Sequence, residues 1–301
     1  MTAGRTIGSA VIEARKRLAA AGIEGAALDA RLLVADALGC DMATVIGHPE
    51  RAFDAGQNLW FEGALGRRAA REPLAYVLGR REFWSLSLRV DEATLIPRPD
   101  SEIIVETALQ RMRGRRSALR VLDLGTGSGC LLIALLRELP EAIGIGVDIS
   151  GAALAVAVDN ARRCGVGDRA MFVRGDWADA IDGPFDLVVG NPPYVTAAEW
   201  RTLEPEVRDF EPGGALVAGD DGLEAYRRII PELARLLAEE GAAFLEIGGD
   251  SAAGALRLAE ASGLGAVGVH RDVAGRPRCL AVSAADPVRM KKNVGNQAVP
   301  V

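Results

Sequence analysis

The sequence predicts an α/β protein, in which a doubly wound, seven-stranded and mostly parallel sheet follows a small helical bundle and a β-hairpin linker. Three observations support this fold class. From Leu119 onward, continuous apolar runs alternate with helical segments, as in parallel sheets covered on both faces. Before residue 80 only helical periodicity is found. Between these regions, the run EFWSLSLRV has a period of two.

The helical texture occupies residues 1–79, where Ile7, Val11 and Leu18 fall roughly on one helical face. Gly39 is expected to end a helix, and Asp41 could cap the next. Alternation from Phe83 to Val90 predicts a hairpin linker over 80–97, and we expect its EFWSLSL run to cover a pocket. Residues 98–285 form the predicted sheet domain, and 286–301 lack any period and are predicted to be a flexible tail.

Within the sheet domain, seven apolar segments are candidate strands: LRVLDLG, AIGIGVD, RAMFVRG, FDLVVGN, AAFLEIG, GAVGVHRDV and RCLAVSA. Helices are expected to begin near Ser101, Ser128, Ser150, Gly222 and Asp250. Only the short AGRP segment separates the last two strands, so these should form an antiparallel hairpin at one edge of the sheet.

Composition narrows the function classes. The net charge of −6 and the pI near 5.2 argue against a broad basic field that would hold nucleic acid. Four widely separated cysteines have no metal-ligand spacing, so we predict no metal site. No apolar run approaches the roughly 18–20 residues that span a bilayer, and the expected location is the cytoplasm.

A glycine loop, Asp123-Leu-Gly125-Thr126-Gly127-Ser128-Gly129, joins the first strand of the sheet to a helix. Glycine at such a turn lets a ligand approach the backbone. A pyrophosphate site fits poorly because Cys130 stands where the dinucleotide fingerprint requires its third glycine. The nucleophile elbow of hydrolases, G-x-S-x-G, does not match around Ser128 either, because Thr126 and Cys130 occupy its two glycine positions. Asp123 is placed where the amine of a cofactor would need a partner.

The next two strands also end in candidate ligand-binding residues. Asp148, at the end of the second strand, could accept both ribose hydroxyl protons. At the end of the third, Asp176 could accept from an adenine amino group and Trp177 could cover the ring. Taken singly, both aspartates could be helix caps and the tryptophan a core residue. Together they predict a nucleoside-type ligand in one crevice.

After the fourth strand come Asn191, Pro192, Pro193 and Tyr194. Consecutive prolines fix φ and remove two backbone donors, so this turn is stiff and rich in acceptors. By itself it could be no more than a rigid loop after a strand.

These motifs together, with PLAYVLGRREFW, LIPRPDSE and EPGGALVAGDDGLEAYRRI, resemble the release factor glutamine N5-methyltransferase family (PrmC/HemK type) of class I S-adenosylmethionine-dependent methyltransferases. The resemblance extends over residues from about 5 to 283. Ser101 stands where the family pattern leads us to expect threonine, and keeps a hydroxyl there.

The resemblance implies a class I, Rossmann-like fold and S-adenosylmethionine as cofactor, bound by Gly125–Gly129, Asp148, Trp177 and Asn191. It further implies that Asn191–Tyr194 receive the glutamine of the Gly-Gly-Gln motif of class 1 peptide chain release factors, and that residues 1–79 dock the release factor. Stable binding of nucleic acid or membrane is not expected. Transfer to an exocyclic adenine amine remains the alternative, because that nitrogen is also planar and conjugated.

For an amide substrate, the Asn191 side-chain oxygen and the Pro192 carbonyl would each accept one N–H, leaving the nitrogen lone pair available. Acceptors also stabilise the positive charge that develops on that nitrogen. Tyr194 would pack against the planar amide, and Pro193 would fix its distance from the acceptors. The predicted catalytic residues are therefore Asn191, Pro192 and Tyr194, none of them charged.

Overall fold

The computed structural model describes residues 5–115, 118–179 and 181–284. The predicted tail over 286–301 lies outside the described residues. Spatial clustering of the chain gives two compact units. One comprises the residues up to Arg80 together with Glu204–Phe210, and the other comprises Arg81–Leu203 and the chain from Glu211 onward. The segment Glu204–Phe210 therefore belongs to the helical unit, although it follows the Asn-Pro-Pro-Tyr motif in the sequence.

The helices and strands predicted for the sheet domain follow one another in the expected order, but two short helices, Ala197–Trp200 and Pro205–Phe210, were not predicted. The helices are α1 (Ile7–Ala20), α2 (Ala26–Leu38), α3 (Met42–Gly47), α4 (Ala55–Ala69), α5 (Leu74–Leu78), α6 (Glu102–Met112), α7 (Cys130–Glu138), α8 (Gly151–Arg163), α9 (Ala197–Trp200), α10 (Pro205–Phe210), α11 (Glu224–Leu236) and α12 (Ala252–Ala261). The strands are β1 (Arg80–Phe83), β2 (Leu86–Arg89), β3 (Arg120–Leu124), β4 (Ile143–Asp148), β5 (Ala170–Arg174), β6 (Phe185–Gly190), β7 (Leu237–Glu246), β8 (Gly265–Arg271) and β9 (Pro277–Ser283).

Caps and a glycine stop define the helices of the helical unit. Gly39 adopts φ +60° directly after α2, where few side chains are tolerated, and ends that helix. The Asp41 side chain accepts from the Thr44 backbone N–H at 2.8 Å at the start of α3, which confirms the predicted cap. Ile7 and Leu18 are fully buried on one face of α1. Their burial confirms the helical period that the sequence indicated.

Buried charges hold α10 within the helical unit. The Arg68 side chain is only 9% exposed, and it pairs with Asp29 at 2.8 Å and with Glu206 at 3.0 Å. Arg71 pairs with the second oxygen of Glu206 at 2.6 Å. A buried guanidinium is stable only when it is paired and hydrogen-bonded, so Asp29 and Glu206 supply what Arg68 requires. Glu206 thus gives α10 a fixed place among these helices.

The linker hairpin is shorter and turns earlier than the alternation suggested. Strands β1 and β2 form a two-stranded sheet, and the turn between them contains Trp84 and Ser85 with φ of +50° and +57°. Both residues lie within the alternating run from Phe83 to Val90, whose pattern does not mark a turn at this point. Two positive φ values are what a two-residue hairpin turn requires. Phe83 and Leu88 on either side are buried in the core of the sheet domain.

A seven-stranded sheet forms the second unit, with the order β5-β4-β3-β6-β7-β9-β8. Strands β3 to β7 pair in parallel, whereas β9 pairs antiparallel with both β7 and β8. The predicted antiparallel hairpin at one edge is confirmed. Strands β4 and β5 follow on one side of β3, and β6 and β7 follow on the other side. The order in which successive strands are added to the sheet therefore reverses at β3, although all five strands are parallel. In doubly wound folds, ligands bind outside the carboxyl ends of the strands at this position.

No helix in the described part of the chain is long and apolar enough to cross a membrane. Among the same residues, no group of histidine, cysteine and acidic side chains could hold a metal ion.

Candidate active site

A cavity of about 360 Å³ opens at the carboxyl ends of β3, β4 and β6. Cavities of a few hundred cubic ångströms are typical of small-molecule and cofactor sites. Its walls contain residues of five segments: Ala93–Pro97 with Ser101, Gly125–Ser128 with Cys130 and Leu131, Val147–Ser150 with Ala153, Gly175–Trp177, and Asn191 with Pro193, Pro212, Gly214 and Ala215.

The glycine loop leaves β3 with all three glycines at positive φ, +73° at Gly125, +54° at Gly127 and +82° at Gly129. Gly125 and Gly127 line the cavity, as do Thr126 and Ser128. Gly129 does not. A Cβ on Gly129 would lie 2.9 Å from the Ile133 side chain, so this glycine permits the close packing of the loop on α7.

Asp123 is fully buried beneath the loop and does not line the cavity. Its Oδ2 accepts from the Thr126 hydroxyl at 2.6 Å, whereas its Oδ1 has no hydrogen-bond partner among the described residues. Burial raises the pKa of Asp123 from 3.8 to about 7, against the opposing effect of the Thr126 hydrogen bond. The cavity-lining Ser128 hydroxyl is likewise buried without a partner within the described chain. Such unpaired polar atoms are rare in folded proteins and indicate a missing partner.

Asp148 lies at the end of β4, at the cavity wall. Its two oxygens accept from the backbone N–H groups of Gly127 and Ser150, each at 2.9 Å. These bonds fix the carboxylate and attach the glycine loop to β4. Each carboxylate oxygen keeps a second lone pair that can accept a further hydrogen bond.

Asp176 and Trp177 also line the cavity, after the end of β5. The Asp176 carboxylate forms an ion pair with Arg228 at 2.9 Å, a partner that the sequence did not indicate. Trp177 has φ +52°, and a Cβ added at Gly125 would lie 3.2 Å from its ring. The ring also packs on the core cluster beside β3. Trp177 is thus both a core residue and a wall of the cavity, which joins the two interpretations that the sequence left open.

The Asn-Pro-Pro-Tyr motif follows β6 directly. Asn191 and Pro193 line the cavity, whereas Pro192 and Tyr194 are not part of its wall. The Asn191 side-chain nitrogen donates to the Ser101 hydroxyl at 3.2 Å. The Tyr194 hydroxyl donates to Glu246 at 3.2 Å, and burial raises the pKa of Tyr194, which keeps the hydroxyl protonated.

Two groups near the motif were not predicted as functional residues. Ser101 was expected only to cap α6, but its side chain makes no cap hydrogen bond and lines the cavity instead. Glu246, the last residue of β7, is 1% exposed and accepts from both Ser101 and Tyr194. A carboxylate within the apolar run AAFLEIG was the available signal, because a buried charge requires partners.

The hairpin β1–β2 was expected to cover the pocket, but the chain that follows it forms the wall, over Ala93–Pro97. The buried Glu211 carboxylate holds this segment, accepting from the Ile96 backbone N–H at 3.1 Å and from Arg98 at 2.6 Å. Pro212 and Ala215, which follow Glu211, line the cavity as well. Glu211 therefore joins two of the loops that enclose the cavity.

Comparison with known proteins identifies the family. Residues 9–79 match the family model of the PrmC N-terminal domain, and residues 100–242 match that of the methyltransferase small domain. The release factor glutamine methyltransferase of Rhodospirillum rubrum is 44% identical over 264 residues, which are 88% of this chain and 81% of that protein. The chain belongs to the release factor glutamine methyltransferase family. The resemblance seen in the sequence motifs is thereby confirmed.

A second release factor glutamine methyltransferase, from Bradyrhizobium diazoefficiens, is 42% identical over 94% of this chain and 97% of its own length. Among solved structures, the hMettl16 catalytic domain in complex with the MAT2A 3'UTR hairpin 6 superposes with a TM-score of 0.55. It shares 19% sequence identity, over 74% of this chain and 82% of that chain. At this identity only the fold is shared, and the class I methyltransferase fold is the one the sequence predicted.

Proposed function

We propose that this protein transfers a methyl group from S-adenosylmethionine to the side-chain amide nitrogen, N5, of the glutamine in the Gly-Gly-Gln motif of class 1 peptide chain release factors. The observation that carries the proposal is the uncharged Asn191–Tyr194 turn, set at a nucleoside-sized cavity in a chain of this family. An amide substrate needs acceptors and rigid positioning more than it needs a base.

The residues around the cavity fit the proposed cofactor. Gly125 and Gly127 admit a ligand close to the backbone, and Asp148 keeps free lone pairs for ribose hydroxyls. On the cavity wall, Ser128 Oγ lacks a partner within the described residues and suits a polar group of the amino-acid moiety. Asp123, buried beneath the loop, places a carboxyl group behind this part of the wall. Trp177 offers an aromatic face for the adenine. When bound, S-adenosylmethionine supplies an electrophilic methyl group on a positively charged sulfur.

The acceptor side would activate and orient the glutamine. In this proposal the Asn191 side-chain oxygen and the Pro192 carbonyl each accept one amide N–H, so that the nitrogen lone pair faces the cavity. Holding two reacting groups in a near-attack arrangement contributes as much as about 7–11 kcal/mol in well-oriented systems. The acceptors then stabilise the charge that develops on nitrogen, and the proton is lost to water or to an acceptor.

Three further assignments belong to the same proposal. The helical domain, residues 1–79, docks the release factor. Asp176 contributes to adenine recognition only with the lone pairs that its Arg228 ion pair leaves free. A substrate that acts in translation termination places the enzyme in the cytoplasm.

The test is a methylation assay resolved at peptide level. Purified protein is incubated with labelled S-adenosylmethionine and a class 1 release factor, and the Gly-Gly-Gln peptide is then sequenced by mass spectrometry. We expect one methyl group on the glutamine of that motif, and none when this glutamine is replaced by glutamate, which lacks the amide nitrogen. An unmodified glutamine would refute the proposal. Faster transfer to RNA or DNA than to the release factor would support the alternative, an exocyclic-amine methyltransferase.

A further inference from the structure

We propose that Glu246 is a positioning residue that sets the orientation of the Asn191 side-chain amide through the Ser101 hydroxyl. This inference rests on the proposed function. Glu246 lies at the end of β7, next to β6 in the sheet, and is not itself part of the cavity wall. It reaches Asn191 only through Ser101, which does line the cavity. Its contribution is to fix which end of the Asn191 amide faces the substrate.

A continuous chain of hydrogen bonds connects the three residues. The Asn191 side-chain nitrogen donates to Ser101 Oγ at 3.2 Å, and Ser101 Oγ donates to Glu246 Oε2. The other carboxylate oxygen accepts from the Tyr194 hydroxyl at 3.2 Å. Ser101 and Glu246 are 2% and 1% exposed, so solvent does not compete for these bonds. One buried carboxyl group therefore holds the first and the last residue of the Asn191–Tyr194 turn.

The direction of donation decides the orientation of the amide. A serine hydroxyl has one proton, and a carboxylate can only accept, so the Ser101 proton is directed to Glu246. Ser101 can then offer Asn191 only a lone pair, which must meet the amide N–H₂ and not the amide oxygen. The Asn191 oxygen consequently points away from Ser101. This is the end of the amide that the proposed mechanism requires as an acceptor for the substrate N–H.

The direction of donation requires the ionised form of Glu246, which burial disfavours and three neighbouring groups stabilise. Burial raises the pKa of Glu246, whereas the hydrogen bonds from Ser101 and Tyr194 and the positive charge of Arg278 oppose that rise. The backbone oxygen of Glu246 also accepts from the Tyr226 hydroxyl at 2.7 Å, which immobilises the end of β7. Such second-layer hydrogen bonding is how rigid sites keep a reacting group in place.

The decisive variant is Glu246→Gln, which keeps shape and volume but has one donor end and one acceptor end. Either its N–H₂ faces Ser101, which then turns its own proton towards Asn191, or it faces Tyr194, which loses its acceptor. We expect kcat for the release factor to fall by up to about 10²-fold, the effect of a misplaced reacting group. The dissociation constant of S-adenosylmethionine, measured by calorimetry, should stay within about threefold, because Glu246 does not line the cavity.

Two variants at Ser101 separate positioning from mere packing. Ser101→Ala removes the hydroxyl and should lower kcat as Glu246→Gln does, whereas Ser101→Thr keeps the hydroxyl and should restore most of the wild-type rate. In the double variant Ser101→Ala/Glu246→Gln, the two losses should not multiply, because both break the same chain of hydrogen bonds. Multiplying losses, a threonine variant as slow as the alanine variant, or an unchanged kcat in Glu246→Gln would each overturn the proposal.

Folding of each variant is checked by its thermal transition, and for Glu246→Gln also by retained cofactor affinity. Failure of this inference is distinct from failure of the proposed function. If the wild type methylates the release factor and Glu246→Gln does so equally well, only the positioning role is lost. If the wild type leaves the Gly-Gly-Gln glutamine unmodified, the proposed function itself is lost.

Discussion

The two halves of the cavity satisfy their polar groups in opposite ways. At the end of β3, Asp123 Oδ1 and Ser128 Oγ are buried without partners in the described chain, and three glycines keep side chains out of the loop. At the ends of β6 and β7, the side chains of Asn191, Tyr194 and Glu246 all take part in hydrogen bonds. The first region leaves polar atoms unpaired, as the proposed cofactor site would require, and the second pairs its own side chains with one another.

The comparison predicts that a change on the acceptor side acts on the rate, and a change on the glycine side acts on binding or stability. Asn191→Ala should give the largest effect. Removing one preorganised hydrogen-bonding group from a transition state typically costs about 10²–10³-fold in kcat. We expect such a loss in kcat for the release factor substrate, larger than any change in the affinity for S-adenosylmethionine, measured by rapid-quench kinetics and calorimetry. A variant that keeps the wild-type kcat would remove the proposed acceptor role of Asn191.

The second prediction concerns Gly129→Ala in the glycine loop. Its φ of +82° and a Cβ contact of 2.9 Å with Ile133 combine backbone strain with overpacking. Together these should lower the free energy of unfolding by about 2–4 kcal/mol, measured by urea denaturation.

Gly151→Ala is the matched control for Gly129→Ala. Gly151 begins α8, and nothing lies within 4 Å of where its Cβ would stand. Alanine there should leave stability unchanged or slightly raised. If both variants lose the same stability, the conformational role assigned to Gly129 is wrong.

The third prediction is pH-dependent and concerns Asp123→Asn. The folded-state pKa of about 7 lies above the ordinary 3.8, so the cost of the buried charge grows as pH rises through this interval and is complete above it. Three pKa units correspond to at most about 4 kcal/mol. The variant should therefore be more stable than wild type at pH 8 and nearly equal at pH 4, in denaturant titrations without cofactor.

The same Asp123→Asn variant should bind S-adenosylmethionine more weakly, because the variant removes the negative charge beneath the loop, which attracts the positively charged amine of the cofactor at a distance. Stability and affinity would then change in opposite directions, which is what a region built to receive a ligand implies. A variant less stable than wild type at pH 8 would contradict the assignment of burial as the cause of the raised pKa.

The smallest effect is expected from Tyr194→Phe. The variant keeps the ring and loses only the 3.2 Å hydrogen bond to Glu246, worth about 1 kcal/mol. We expect less than a tenfold decrease in kcat and no change in cofactor affinity, compared by steady-state assays with Tyr76→Phe in the helical unit as control. A loss as large as that of Asn191→Ala would mean that the hydroxyl, and not the ring, is the important part of Tyr194.

Sequence reasoning succeeded where one continuous segment contains the whole feature. Residue types at fixed spacing identify the glycine loop from Asp123 to Gly129 and the turn from Asn191 to Tyr194. The alternation of strands and helices gave the sheet, because periodicity reports burial directly. The edge hairpin of β8 and β9 followed from the short AGRP connection.

It failed where a feature needs segments that meet only in space. Ser101, Asn191 and Glu246 are 90 and 55 positions apart in sequence, by subtraction of successive numbers, and no local pattern relates them. The same holds for Glu211, which closes the cavity wall near Ile96. In the hairpin, the residue alternation continued through Trp84 and Ser85, although the backbone turned there. Side-chain polarity alone does not reveal a positive φ.

The position of β9 has a consequence for synthesis of the chain. Although it is the last strand of the described chain, β9 lies inside the sheet between β7 and β8, and Cys279 pairs with Glu246. Until the ribosome has added the residues from Pro277 onward, the edge of β7 that later pairs with β9 has no partner strand. An unpaired strand edge can pair with another chain, so this edge favours association between nascent chains. The strand that ends at Glu246 therefore gains its second neighbour only after residues up to Ser283 have been made.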